Sequence, residues 1–546
     1  MTLSRSTACL ALSAAISIPA AAQCGAAAPD LILTGGRVFT ADSTRPWAQA
    51  LAIRGERIVA VGTSEQVERL AGPGTRRIAL GGRVVIPGIN DAHEHVPDVA
   101  LPGAFRTGPS PTPNPELAPV LDSIRALAAR TPRGTWIQTT IGLRMLNDPA
   151  ARRAALDSAA PHHPVLLWTW WGHGAVANGP ALRMLEIADD APDPPGGWYE
   201  RDAEGRLTGR MDEYAEYGAL RRLYSFLPDT ALVSSLRRFA DESLRMGVTT
   251  VQNMASNAEP AQTVRVFRAA ALPIRVRLIR WPIPSATGRL EREWDAADPH
   301  PGPRVTVSGR KWVIDGTPLE ELALSRTPYP GRPGWHGRLN FPLDTVRSIL
   351  AEALRPGAPQ LHLHVVGDSA TKLVLAQMEA LAPASAWRAR RVRLEHGRGI
   401  VGTQVDRARR LGIIIAQPRA GAPLATWRAA GIPLAYGSDG VASPFHNLMV
   451  ATSPSDAGEA LSREQAVTMY TLGAAYAEFA ERDKGRLAPG MLADLAVLSQ
   501  DIFTVPAEAL PRTVSVLTIV GGRVAYQAAG FPAAAPRAAR ISRPER

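Results

Sequence analysis

Cysteine is nearly absent from this chain: Cys9 and Cys24 are the only two among 546 residues. Cys9 falls in an apolar leader, so the mature chain has at most one thiol and no internal disulfide. That excludes a disulfide scaffold and any CxxC redox or zinc motif. Long apolar runs are missing as well. Past the N-terminus no stretch of about 18 apolar residues occurs, so no membrane insertion is expected once the leader is removed. The chain also lacks G-x-x-x-x-G-K-[ST] and G-x-S-x-G. A phosphate-cradling loop and a nucleophile elbow are thereby excluded.

Lysine is the third scarcity. Lys311, Lys372 and Lys484 are the only lysines; the other basic residues are arginines. Arginine stays protonated in proteins. A lysine kept in so arginine-rich a chain marks a place where a deprotonatable amine has a use. The net charge of +11 is spread thinly, and the densest run, Arg388 to Arg393, leads into a strand. No basic block resembles a nucleic-acid patch, so no nucleic-acid partner is expected. The expected partner is a small-molecule substrate, with homo-oligomerisation left open.

What is present begins with a leader. Arg5, the apolar stretch Ala8 to Ala22 and the small triplet Ala20-Ala21-Ala22 have the form of a signal peptide over residues 1–22. Export to the periplasm or the medium follows as an expectation. Gln23 stands before Cys24 where a lipobox has a small residue, which leaves lipidation a minor alternative. Apolar content of 45% is ample for a large core.

Short strands and turns fill residues 30–82. Leu31–Thr34, Gly35-Gly36 and Arg37–Thr40 have the pattern of a hairpin, and so do Ala50–Arg54, Gly55 and Arg57–Val61. The other end echoes the first of these: LILTGGRVFT at 31–40 nearly repeats as LTIVGGRVAY at 517–526. We read a small β-sandwich built from residues 30–82 and 485–527, with residues 528–546 as a disordered Ala/Pro/Arg tail. Between the ends lie eight short apolar strands: Arg83–Ile89, Val248–Asn253, Ile274–Ile279, Lys311–Ile314, Gln360–Val366, Val392–Glu395, Gly412–Ala416 and Ile432–Tyr436. Helical stretches such as Leu343–Leu354 and Ser369–Leu381 alternate with them. This pattern predicts an α/β fold, a (β/α)₈ TIM-like barrel over residues 83–484 with its site at the C-terminal ends of the strands. Residues 97–247 are too many for a loop and are expected to form an insertion over the barrel mouth.

Polar candidates gather at those strand ends. His93 and His95 form H-x-H after the first strand, where alternate side chains point the same way. Lys311 begins the fourth strand, His364 lies near the end of the fifth, His396 ends the sixth, and Asp439 follows the eighth. Neutral imidazole and carboxylate are ordinary zinc ligands. A lysine amine that reacts with CO₂ gives a carbamate, an anion able to bridge two metals; arginine has no such chemistry.

Several motifs occur together and in order: Pro87-Gly-Ile-Asn-Asp-Ala-His-Glu-His, Lys311-Trp-Val-Ile-Asp-Gly, His364-Val-Val-Gly-Asp, Leu394-Glu-His-Gly and Gly437-Ser-Asp. Lys484-Gly-Arg-Leu-Ala-Pro-Gly-Met-Leu-Ala-Asp closes the set. With them the chain resembles the amidohydrolase superfamily, in the amidohydrolase-3 branch that includes N-substituted formamide deformylases, from about Asp30 to Gln527. The resemblance implies one or two divalent ions, zinc by preference. His93 and His95 would hold one and His364 and His396 the other, with carboxylated Lys311 as bridge. Asp439 would be ligand and proton carrier, and His173, in Trp171-Gly-His, would reach toward substrate. It implies hydrolysis of a carbon–nitrogen bond by a metal-bound hydroxide. Lactone or ester hydrolysis, isomerisation on the same site, and binding without turnover on a retired scaffold stay open. Glu94 between the two histidines is more polar than the family pattern, and the Asp439 turn lacks a tight proline.

Other residues carry blander expectations. Glu213 reads as a solvated helix residue and Asp91 as a turn residue. His362 reads as barrel filling. Asp368 is expected to cap a helix or brace His364. Trp168, Trp170 and Trp171 either line a pocket or simply pack.

Overall fold

The computed structural model describes residues 27–99, 101, 103–283, 294–418, 420–440 and 443–531. The expected leader, both cysteines and residues 532–546 of the expected tail lie outside them.

Eight parallel strands form the central sheet: β1 (Ile89–Glu94), β2 (Val248–Ala255), β3 (Arg275–Arg280), β4 (Val305–Val313), β5 (Leu361–His364), β6 (Arg393–Glu395), β7 (Ile414–Ala416) and β8 (Leu434–Ala435). Each pairs with its sequence neighbours. Ala92 N–H donates to Tyr436 O at 2.9 Å and Asp439 N–H to His93 O at 2.8 Å, which joins the last strand to the first. Six of the eight strands, all but β3 and β4, are buried over their whole length. That explains their continuous apolar character, because helices cover a parallel sheet on its outer face.

The seam between β1 and β8 depends on Gly437. A Cβ there would overlap the backbone nitrogen and Cβ of His93. Gly437→Ala is therefore expected to part the seam, at a cost of about 1–3 kcal/mol. A lowered thermal midpoint together with lowered activity is the expected readout; an unchanged midpoint contradicts it.

Two strand assignments need correction. Val84–Pro87, expected to open the barrel, belongs to another sheet, and β1 begins at Ile89. Gly88 makes the passage: a side chain there would run into Thr249. His93 consequently lies within β1 rather than after it. The fourth strand begins at Val305, not Lys311, so Lys311 sits near its C-terminal end. Gly309 interrupts the apolar pattern and hides the first half of that strand from sequence inspection.

Two further sheets make an additional domain. One, of four strands, comes from the N-terminal segment alone; the other, of six, combines Arg37–Phe39, Trp47–Ala48 and Val84–Pro87 with Leu495–Leu498, Ser515–Val520 and Arg523–Gln527. A shared apolar cluster includes Leu33, Leu51 and Ile78 with Leu495, Leu517 and Phe531. Phe531, expected in the disordered tail, is buried there. The first expected hairpin does not form. Leu31–Thr34 pairs with Ala50–Arg54 and Arg76–Ala79, while Arg37–Phe39 pairs in the other sheet. Gly35-Gly36 carries the chain between the two sheets, whereas its echo at Gly521-Gly522 does turn a hairpin.

The long segment after β1 divides in two. Residues from Gly103 to Glu213 contribute a separate six-stranded sheet. Helix Asp229–Arg245 instead packs Leu232, Leu236, Ala240 and Leu244 into the barrel core. It is the first crossover helix of the barrel rather than part of an insertion.

Candidate metal centre

The strand ends bring the expected residues to one place. His93 Nε2 lies 3.2 Å from His95 Nε2. Asp439 Oδ1 is 3.5 Å from the former and 3.4 Å from the latter. Across the mouth, His396 Nε2 lies 3.1 Å from His364 Nδ1. Donor atoms of His93, His396 and Asp439 all fall within 4.8 Å of one another. The ring centroids of His173 and His364 are 4.7 Å apart. Lys311 is buried beneath, its Nζ 4.9 Å from the Trp281 ring centroid. The Trp281 ring also flanks His95 at 5.5 Å.

Three of the four imidazoles are held from behind. His93 Nδ1 is 2.6 Å from Glu395 Oε2, His396 Nδ1 is 2.6 Å from Gln417 Oε1, and His95 Nδ1 is 3.2 Å from Ser256 Oγ. An Nδ1–H donated to each brace leaves the Nε2 lone pair facing the mouth. Burial pushes His93 and His364 down, and holds His95 at about 3, so these rings stay neutral. Neutral nitrogens facing one another at 3.1–3.2 Å, with the buried His364 Nε2 lacking any hydrogen-bond partner, have the donor chemistry of a cation site. Burial also lowers Lys311 to about 8. A larger share of its amine is then unprotonated near neutral pH.

The backbone is bent to serve this arrangement. His396, Gln417, Asp439 and Glu213 all have positive φ, at 71°, 52°, 51° and 57°. None is glycine, so each costs about 1 kcal/mol or more. The surrounding hydrogen bonds hold them there, and each such turn redirects a side chain at a strand end.

Sequence reasoning missed the layer beneath the expected metal ligands. Glu395 is fully buried and also accepts from Arg393, at 3.0 and 3.1 Å, and faces His362 Nδ1 at 3.3 Å. Arg393 continues to Gln252 Oε1 at 2.6 Å and Ala92 O at 2.7 Å. His362 is thus one member of a polar layer that fills the barrel. The Leu394-Glu-His-Gly motif contained Glu395 but gave no sign of its direction. Since β6 alternates faces, Arg393 and Glu395 both point inward, and that was the available signal. Glu395→Gln is expected to weaken metal binding about 10–100-fold, the usual effect of losing an outer brace. Metal titration by calorimetry checks this, and unchanged affinity contradicts it.

Three blander expectations also change. Glu213 is fully buried, not solvated: it ends the strand Leu207–Glu213 and accepts from His173, at 2.9 Å, and Asn340, also at 2.9 Å. Asp91 lies within β1 and accepts from Ser438 N at 2.9 Å and from Ser438 Oγ, which secures the Asp439 turn. Burial lifts Asp91 to about 6. Asp368 accepts from Arg326 N at 2.8 Å and neither caps its helix nor touches His364. Of the tryptophans, Trp168 packs against an apolar cluster, Trp170 is partly exposed, and Trp171 donates to Glu320 at 2.8 Å. The lysine argument separates in the same way. Lys372 is exposed, and Lys484 pairs with Glu478 at 2.8 Å. Lys311 alone of the three is at the mouth.

Comparison with known proteins agrees with this geometry. The Arabidopsis thaliana protein LONG AFTER FAR-RED 3 is 26% identical over 91% of this chain and 91% of its own. An N-substituted formamide deformylase of Arthrobacter pascens is 31% identical over 44% of this chain and 45% of its own. The crystal structure of an uncharacterized metal-dependent hydrolase from Pyrococcus horikoshii shares the fold, with a TM-score of 0.66 at 21% identity over 88% of this chain and 99% of that one. The amidohydrolase family model matches residues 76–526, most of the chain. By that match, and with a barrel mouth lined by facing imidazoles, the protein belongs to the amidohydrolase family and is a metal-dependent hydrolase.

Proposed function

We propose that this enzyme hydrolyses an amide-type carbon–nitrogen bond of a small molecule at the barrel mouth. The observation that carries the reading is the pair of facing imidazole couples, His93/His95 and His364/His396, gathered around Asp439. His93 and His95 would hold one divalent ion and His364 and His396 another, zinc by preference, with Asp439 as a shared oxygen donor. Lys311 would take up CO₂ to form an Nζ carbamate with loss of a proton, and so supply the bridging anion. A bound divalent ion supplies Lewis-acid polarisation of the carbonyl and a lowered water pKa.

The chain's own residues do the rest. Asp439 accepts the proton of the attacking water on its carboxylate and returns it to the leaving nitrogen. His173 stands over the His364 side of the mouth and orients the acyl group. The six-stranded sheet after β1 brings His173 and Glu213 into position. The additional domain is read as one sandwich from both chain ends, and the protein as exported. No helix among the described residues is long and apolar enough to cross a membrane.

The similarity to an N-substituted formamide deformylase directs the first substrate screen. Zinc-loaded enzyme should release amine from N-acyl and N-formyl compounds in preference to opening lactones or esters. Turnover confined to lactones or esters contradicts the choice of bond. Tight binding of such compounds by metal-loaded protein without any turnover contradicts the enzymatic reading.

A further inference from the structure

His173 also belongs to a second group of donors, whose other members the reaction at the barrel mouth does not use. His173, Glu213 and Glu320 are all buried, and a donor atom from each lies within 4.8 Å of the others. They come from different parts of the fold. His173 and Glu213 belong to the segment after β1, and Glu320 to the loop that follows β4. Gly316 shows how closely the two carboxylates converge. A Cβ at that position would stand 2.5 Å from Glu320 Oε1 and 2.6 Å from Glu213 Oε1.

His173, whose burial is outweighed by the Glu213 carboxylate so that it is lifted to about 9, is the one positive partner hydrogen-bonded within this group among the described residues. Glu216, on helix Tyr214–Ser225, is buried with neither carboxylate oxygen hydrogen-bonded. The charges acting on it are those of His173, Glu213, Asp212 and Glu320, so it belongs to the same electrostatic group. Asp212 is answered by Arg210 at 3.1 Å. Among the described residues, Glu213, Glu216 and Glu320 hydrogen-bond to no lysine or arginine. Glu213 has His173, Tyr217 and Asn340; Glu320 has Thr317 and Trp171. Three buried carboxylates therefore share one imidazole. A buried carboxylate without a counter-charge is costly, and a bound cation offsets that cost.

We propose that His173, Glu213 and Glu320, backed by Glu216, form a further divalent-cation site that fastens the segment after β1 to the β4 loop. One imidazole nitrogen with carboxylate oxygens is a donor set for zinc or manganese. Donors within 4.8 Å of one another need to close by about 1 Å or less to reach zinc-ligand distances of about 2.0–2.2 Å. All three donors are buried, so the ion would hold the His173 ring in place.

Anomalous diffraction from crystals of the whole protein grown with zinc, and in parallel with manganese, tests this directly. The expected result is a peak between His173, Glu213 and Glu320, separate from the density at His93, His95, His364 and His396. Glu320→Gln and Glu216→Gln should each lower that peak's occupancy several-fold and leave the barrel-mouth density in place. Density at the barrel mouth with none at this cluster overturns the proposal while sparing the proposed function. Density at neither place overturns both. The parent crystals decide the matter even where a variant does not fold.

Discussion

Lys311→Ala is expected to abolish measurable turnover and to release bound metal from the barrel mouth. The amine is buried, close to Trp281, and lowered by that burial to about 8. Those are the conditions in which an amine reacts with CO₂ instead of remaining a protonated surface charge. Loss of an outer brace alone costs about 10–100-fold in affinity or activity, so loss of a bridging anion should exceed that range. Lys311→Arg should be equally inactive, because a guanidinium keeps its proton. The two variants together separate charge from carbamate chemistry. A short carboxylate added to the alanine variant should restore part of the activity, and steady-state assays with and without it read this out. An active Lys311→Arg enzyme contradicts the assignment, since only the positive charge survives in it.

Asp439→Asn carries the second large effect. Asp439 lies 3.4–3.5 Å from the nitrogens of His93 and His95 and is only slightly exposed, at 14%. Its amide N–H to His93 O and the Asp91–Ser438 bonds hold the turn through groups that the substitution leaves in place. The asparagine variant should therefore fold normally. It retains a donor oxygen but cannot accept the proton of an attacking water. General acid–base catalysis of this kind contributes about 10²–10⁴-fold, and kcat should fall within that span. Circular dichroism and a thermal melt establish that the fold persists. A kcat near that of the parent rules out Asp439 as proton carrier.

Much of this is legible in the sequence alone, and the exceptions have physical causes. Histidines and Asp439 at the ends of buried strands were readable, because apolar runs locate the strands and the barrel fixes which ends meet. Lys311 stands out by its rarity, but the sequence pattern sets it at the wrong end of its strand, since Gly309 breaks the apolar pattern of β4. The first barrel strand was displaced because Val84–Pro87 looks like a barrel strand; only its partners, Val38 and Leu495 among them, show otherwise. Partner choice is a long-range property that a local pattern does not carry. The same limit applies to the two Gly-Gly segments, which have near-identical sequences and different pairings. Glu213 was misread for a related reason. A glutamate in a polar stretch suggests a solvated surface, and its burial follows only from the packing of Tyr217, Asn340 and His173 around it.

The polar layer inside the barrel was the least visible feature. Arg393, Glu395, His362 and Gln252 look like scattered polar residues in sequence, yet they connect into one buried network. Removing one partner from such a pair strands the other, typically at about 3–5 kcal/mol. The network therefore does two things: it fills the barrel, and through Glu395 it fixes the ring of His93.

The central claim is that the four imidazoles at the barrel mouth hold divalent metal. Elemental analysis of the purified protein after incubation with zinc and bicarbonate, beside a His93→Ala/His95→Ala double variant, tests it most directly. The account predicts tightly bound metal in the parent and the loss of at least one ion per chain in the folded variant. Equal metal content in the two proteins, or none in the parent, would contradict it.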